Sequence, residues 1–254
     1  MKTVGPIVKV TLNRPAQGNQ IDYYLAAELC HACASVSQDD NVLAVILTGS
    51  GAIFSTGREA LPAELATAPA TLRQARIQQL KVADALANLP VPVIVSINGD
   101  ALDHGLELAL AGNIRICAES ARFGLTDLSK PDCFPWDGGT QRLPRLVGPA
   151  WAADMLLTSR VISALEALGI GLVNRVVPSG ELAQETQRLA ESIAAGGPIA
   201  ARYAKEAVTK GSELTLAEGL RLEADLNIIL QSTGDRAEGI QSFLHKRPPR
   251  YTGE

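Results

Sequence analysis

No apolar run in this chain reaches the roughly 18 residues that a membrane-spanning helix requires, so no membrane role is expected. Basic residues do not dominate either: 23 Lys and Arg stand against 27 Asp and Glu, a formal net charge of −4. That balance leaves no electrostatic footprint for nucleic acid. The opening stretch, Met1 to Val10, has no long apolar h-region and no small-residue cleavage site, and a cytoplasmic protein is the expectation. Four cysteines supply no zinc or haem signature. Cys30 and Cys33 form a lone C-x-x-C inside a helical pattern, and Ala34 follows where a haem attachment would need His. These two read as small apolar residues, Cys117 as core and Cys133 as a loop residue. The P-loop, H-E-x-x-H and G-x-S-x-G patterns are absent, as is a G-x-G-x-x-G after a strand, so no metal, nucleotide or redox cofactor is expected.

What remains is an ordinary globular composition, 46% hydrophobic and 20% charged. The length suits a large core as one domain, or one domain with an appendage. Strand-like runs at 7–12, 42–48, 53–55, 93–97, 113–117 and 173–177 alternate with helical patterns at 22–36 and 71–88. An Ala- and Pro-rich loop at 60–70 lies between them. This rhythm predicts an α/β class with largely parallel strands. Beyond residue 180 the pattern is helical to about residue 243, broken at Gly196-Gly197-Pro198 and at Gly211. The chain therefore divides into a mixed core, 1–180, and a helical region, 181–254, that packs on the core or on a neighbouring subunit.

One stretch concentrates the chemistry. Val93 to Ile97 reads as a buried strand that stops at Asn98-Gly99. A segment of small residues then enters a helical pattern carrying one carboxylate, Glu107. A buried carboxylate is costly unless it is paired or employed, and the backbone N–H groups at a helix opening are free to bind a developing anion. These are parts suited to polarising a carbonyl and moving a proton beside it.

Several segments, in order along nearly the whole chain, resemble the crotonase or enoyl-CoA hydratase/isomerase family. They include Thr11-Leu12-Asn13-Arg14-Pro15 with Asn19, and Ile46-Leu47-Thr48-Gly49 followed by Phe54-Ser55-Thr56-Gly57. Next come Pro92 to Gly99 with Glu107, Ala121-Arg122-Phe123-Gly124, and Gly138-Gly139-Thr140-Gln141-Arg142-Leu143-Pro144. The tail Phe243-Leu244-His245-Lys246-Arg247-Pro248 belongs to the same set. The resemblance implies an α/β crotonase-like spiral of ββα turns with a C-terminal helical trimerisation region. It also implies a homotrimer or dimer of trimers and an acyl-CoA substrate, coenzyme A entering as part of the substrate and no separate cofactor.

The resemblance further implies that the thioester oxygen is held by the backbone N–H groups of Arg58 and His104, donors worth on the order of 3 kcal/mol each. Glu107 and Asp127 match the two acids that clasp water in hydratases, Asp127 being shorter by one methylene. Asp137 falls near the position of an isomerase acid; it also suits the N-cap of a helix over 138–147. Asp103-His104 replaces the family's consecutive glycines. Together with Pro135-Trp136-Asp137 it is similar to the pattern of β-diketone-type C–C bond hydrolases, although Leu128 stands where these carry a second His. Substrate contacts are implied for Arg14, Ala16, Gly57, Arg58 and Ala60, and for Asp103 and Leu128. Phe243 and Lys246 are implied to touch the coenzyme A of a neighbouring subunit. The leading expectation is hydration of a 2-enoyl-CoA. The alternatives are an isomerase using Asp137, a C–C hydrolase using His104 and Asp137, and a catalytically silent member of the fold.

Overall fold

Short runs of Val, Ile and Leu build the frame on which this site is mounted. The computed structural model describes residues 1–60, 62–65, 67–126 and 134–254, with Ala63 described by its backbone alone. β1 (Lys2–Val4) and β2 (Ile7–Leu12) form a hairpin leading through α1 (Tyr23–Ser37) to β3 (Ala44–Gly49). α2 (Ala70–Leu80) and α3 (Ala83–Ala87) precede β4 (Val93–Ile97), β5 (Ala101–Leu102) and α4 (His104–Leu110). The next turn holds β6 (Ile114–Ala118), β7 (Arg122–Gly124), α5 (Gly139–Val147) and α6 (Pro149–Thr158). β8 (Val161–Ser163), α7 (Ala164–Gly169) and β9 (Arg175–Val177) close the spiral. The helices α8 (Leu182–Ala194), α9 (Pro198–Gly211), α10 (Leu216–Gln231) and α11 (Gly234–Leu244) follow.

The turns β4–β5 and β6–β7 each lend one strand to each of two sheets before the helix that follows. The larger sheet runs β1-β2-β3-β4-β6-β9 and is parallel apart from the β1–β2 hairpin. The smaller runs β5-β7-β8. β3 and β4 are apolar and buried on both faces, as parallel strands covered on both sides must be. Val45, Leu47, Val93 and Val95 face the main core. Ile46, Ile94 and Ile116 face Leu182 and Ala190 of α8. The first helix of the 181–254 region therefore covers the back of the large sheet, where the Thr186 and Ser96 hydroxyls meet at 3.0 Å. Among the described residues no helix is long and apolar enough to cross a membrane.

Most expected elements stand within a residue or two of their places, and Asp22 caps α1 by accepting from the Leu25 amide at 2.7 Å. Four readings need correction. Residues 53–55 form no strand; only Ser55 pairs, in a single bridge with Ala101, while the Ile53 carbonyl accepts from the side-chain amides of Asn19 and Asn98 instead of from a neighbouring strand. Loop 60–70 contains a 3-10 turn, Ala63–Leu65, with Leu65 tucked inward. The helix over 71–88 is broken at Lys81 and Val82, whose φ/ψ of −71/118 and −128/−20 leave the helical region. The fourth explains the third. Asp137 does not cap α5, whose N-cap is Gly138 with no side-chain bond. Its carboxylate instead accepts from the amides of Val82 and Ala83 at 2.8 and 2.9 Å, satisfying the N–H groups freed by the break. Cys30, Cys33 and Cys117 are free thiols, while Cys133 lies outside the described residues.

α9 is fastened to the core through Lys205, whose Nζ donates to the carbonyls of Leu89 and Val91 at 2.6 and 3.0 Å. Burial lowers its pKa to about 8 from an ordinary 10.5. Between those two values the unfolded chain carries the extra proton, so this group makes stability rise with pH across that window. Lys205→Met should lose that rise, read as Tm against pH from 7.5 to 10 for both proteins. Identical slopes would remove Lys205 as its source.

Candidate active site

Three loops converge beside α4. Asn19, wholly buried, ties two of them together: its Nδ2 donates to the carbonyls of Ser50 and Ile53 at 2.9 and 2.8 Å, and its Oδ1 accepts from the Arg14 amide at 2.9 Å. The Ser55 hydroxyl donates to the Asn19 carbonyl at 2.9 Å. This positions the turn Thr56-Gly57-Arg58. Gly57 has φ +112, and a Cβ there would lie 3.1 Å from Asp103 Cβ and 3.7 Å from the His104 nitrogen. The expected oxyanion segments, 57–58 and 103–104, are thus neighbours. His104 is the first residue of α4, where an N–H has no acceptor within its own helix.

Asp103 takes the strain that a glycine would have avoided. Its φ/ψ of 50/−123 is a region glycine favours, costing a non-glycine about 1–3 kcal/mol. Its amide donates to the Gly124 carbonyl at 2.8 Å, and its carboxylate accepts from the Thr126 amide and from the Thr126 hydroxyl at 2.8 Å. Those bonds hold the residue where the strain places it.

Glu107 sits one turn into α4 and is 1% exposed. Its Oε1 accepts from the amides of Asp137 and Gly139 at 2.9 and 2.8 Å; among the described residues Oε2 takes no hydrogen bond. Burial drives this carboxyl above its ordinary pKa, and the two amides and His104 only partly reverse that. Gly139 allows the close approach: a Cβ there would stand 3.1 Å from Oε1 and 3.0 Å from Pro135 Cβ. A carboxylate fixed at one oxygen, open at the other and raised in pKa suits proton transfer.

Asp137 and His104, 33 residues apart, meet at 3.0 Å through Oδ2 and Nε2, both side chains essentially without exposure. Burial pushes the Asp137 carboxyl up, but the bonds from His104, Val82 and Ala83 outweigh it and hold the group below its ordinary pKa. His104 Nδ1 has no partner among the described residues. The Trp136 ring stands edge-on to the imidazole, centroids 6.3 Å apart at 84°. Arg58 lays its guanidinium carbon 4.0 Å from the Trp136 ring centroid, a cation–π contact. Asp137 thus braces three things at once: its carboxylate pins the α3 start and His104, and its amide pins Glu107.

The structure brings Glu107, His104, Asp137, Gly57, Arg58 and Asp103 together. Asp127 and Leu128 lie outside the described residues. Arg14 braces the approach, its Nη1 meeting Asp22 Oδ2 at 2.8 Å and the Gln20 carbonyl at 3.1 Å, beside the exposed Ala16 in the 3-10 turn Pro15–Gln17. Ala60 is exposed past the Arg58 turn. Phe243 and Lys246 lie at the end of α11, where Phe243 borders a separate cavity with Leu230, Ile240 and Tyr251. Sequence reasoning missed the supporting amides of Val82, Ala83 and Gly139 and the Trp136 platform. Only Gly139, in its Gly-Gly-Thr run, carried a readable signal.

The family model for enoyl-CoA hydratase/isomerase matches residues 2–254. The mitochondrial methylglutaconyl-CoA hydratase of Rattus norvegicus is 37% identical over 254 residues, spanning 98% of this chain and 80% of that protein. The 2,3-dehydroadipyl-CoA hydratase of Escherichia coli (strain K12) is 35% identical over 247 residues, spanning 97% and 95%. The crystal structure of an enoyl-CoA hydratase from Bacillus anthracis matches with a TM-score of 0.93 at 40% identity, covering 100% of this chain and 98% of that one. The spiral of strand–strand–helix turns is therefore the crotonase fold, and the chain is an enzyme belonging to the enoyl-CoA hydratase/isomerase family.

Proposed function

We propose that the enzyme adds water across the double bond of a 2-enoyl-CoA, with Glu107 as the principal acid/base. The observation that carries this reading is Glu107 itself, held by two amides at Oε1 and open at Oε2. The amides of Arg58 and His104 would take the thioester oxygen as negative charge develops there. Water attacks the β-carbon, Glu107 accepts its proton, and the α-carbon is protonated in turn. Asp127 is the proposed second acid. The acyl-CoA brings its own coenzyme, and this chemistry calls for no other. Asp137 acts on this reading through position, its carboxylate already committed to three donors.

The contact between His104 and Asp137 favours a second reading, cleavage of a β-diketone-type C–C bond, in which that pair would serve as the base. One experiment separates the two: turnover of crotonyl-CoA, followed by loss of the conjugated thioester absorbance. Hydration is expected, with an acid limb in kcat/KM above the ordinary glutamate pKa, because burial holds the Glu107 proton. No loss of absorbance, with turnover of a cyclic β-diketone, would reverse the assignment. We also propose a homotrimer or dimer of trimers, supported by apolar side chains left exposed on the helical region, among them Leu216, Leu220, Ile228 and Phe243.

A further inference from the structure

Past Asp137, whose amide holds Glu107, lies a cavity of about 380 Å³. Trp136, Asp137 and Gly138 border it, and the rest of its wall is Lys81, Asp84, Gln141, Arg142, Arg145 and Glu213. No aliphatic residue is among these. A hydrocarbon tail lodged there would strip water from charged groups and return no hydrogen bond.

The charges are not evenly answered. Arg142 pairs with Asp84 through Nη2 and donates from Nη1 to the Asp137 carbonyl at 2.7 Å. Arg145 Nε lies 3.3 Å from Glu213 Oε1. Lys81, where the long helix breaks, has no ion-pair partner among the described residues. Its backbone is held by the same Asp137-anchored junction that fixes Val82. The cavity therefore offers a ligand one unanswered ammonium on a fixed backbone.

We infer that this cavity receives the far end of the acyl group and that Lys81 pairs with a carboxylate there. The preferred substrate is then a 2-enoyl thioester ending in a second carboxylate. This rests on the hydratase reading above. An anionic oxygen at Lys81 could also come from the phosphates of coenzyme A, and the test distinguishes the two sources.

The test compares kcat/KM for two six-carbon substrates that differ only at the far end, 2-hexenoyl-CoA and the mono-CoA thioester of 2-hexenedioic acid. The wild-type enzyme should prefer the carboxylate-bearing substrate at least ten-fold, mainly through KM. Lys81→Met should bring the ratio close to one, and Lys81→Arg should largely restore it. A wild-type enzyme that hydrates both equally well, or prefers the methyl-ended one, overturns the inference and leaves the hydratase reading standing. An equal fall on both substrates in Lys81→Met would place Lys81 on the coenzyme and overturn it too. Failure to hydrate either substrate would overturn the hydratase reading, and this inference with it.

Discussion

Glu107→Gln is expected to slow crotonyl-CoA hydration by about 10²- to 10⁴-fold, the range associated with one positioned acid/base. The substitution is nearly isosteric. A glutamine carbonyl can still accept from the Asp137 and Gly139 amides now bonded to Oε1. What disappears is the basic oxygen at Oε2. Stability should not fall. The folded pKa of Glu107 is raised, so its contribution to stability is complete only below the unfolded pKa and is lost as pH rises through the folded value. Above the unfolded pKa this raised folded pKa opposes folding, and glutamine relieves that. Turnover and a thermal melt on the same preparation check both halves. Undiminished turnover would end the catalytic assignment.

The second large effect is on stability. Asp137→Ala leaves the buried amides of Val82 and Ala83 and the Nε2 of His104 without their shared acceptor. Removing one member of such a buried cluster costs about 3–5 kcal/mol, which in a chain of this size lowers Tm by roughly 10 °C. Asp137→Asn keeps an acceptor and loses the charge, so its loss of stability should be smaller. It has a second readout: the Asp137 charge raises the Glu107 pKa, so neutralising it should move the acid limb of kcat/KM to lower pH. The sign for Asp137 itself is opposite to that for Glu107. With its pKa lowered in the fold, its contribution is present above the unfolded pKa and lost as pH falls through the folded one. Calorimetry at pH 7 and a pH–rate profile test these outcomes. A wild-type Tm for Asp137→Ala would contradict the bracing role.

The parts legible in the sequence were those governed by local rules. Val93–Ile97 is apolar at four of its five positions and buried at all of them, as a strand covered on both faces must be. Asp22 precedes α1 as a capping residue should. Glu107 was visible as a carboxylate among apolar neighbours. The unreadable parts depend on distant partners. Nothing between residues 71 and 88 announces a break at Val82, because the acceptor that makes it tolerable lies 55 residues further on. For the same reason Asp137 looked like a cap for the helix beside it, when its carboxylate belongs to another helix altogether. The meeting of His104 with Asp137 was open to inference only through resemblance, since no spacing rule joins positions 33 apart.

The knot at Asn19 bears on how a ligand is received. Its side chain accepts one amide and grips two carbonyls of the neighbouring loop, while Ser55 closes the ring from the far side. Opening the turn at 55–58 would mean losing the Ser55 hydroxyl bond together with those that the Thr56, Ile21 and Leu102 amides donate to the Gly18, Gly57 and Ser55 carbonyls, so the turn should share the slow, whole-molecule opening of the sheet rather than the quick fraying of a surface loop. Its ordering entropy was lost when the chain folded. On the proposed function, docking a thioester there resembles setting a piece into a rigid socket, and little of the binding free energy is diverted into shaping it.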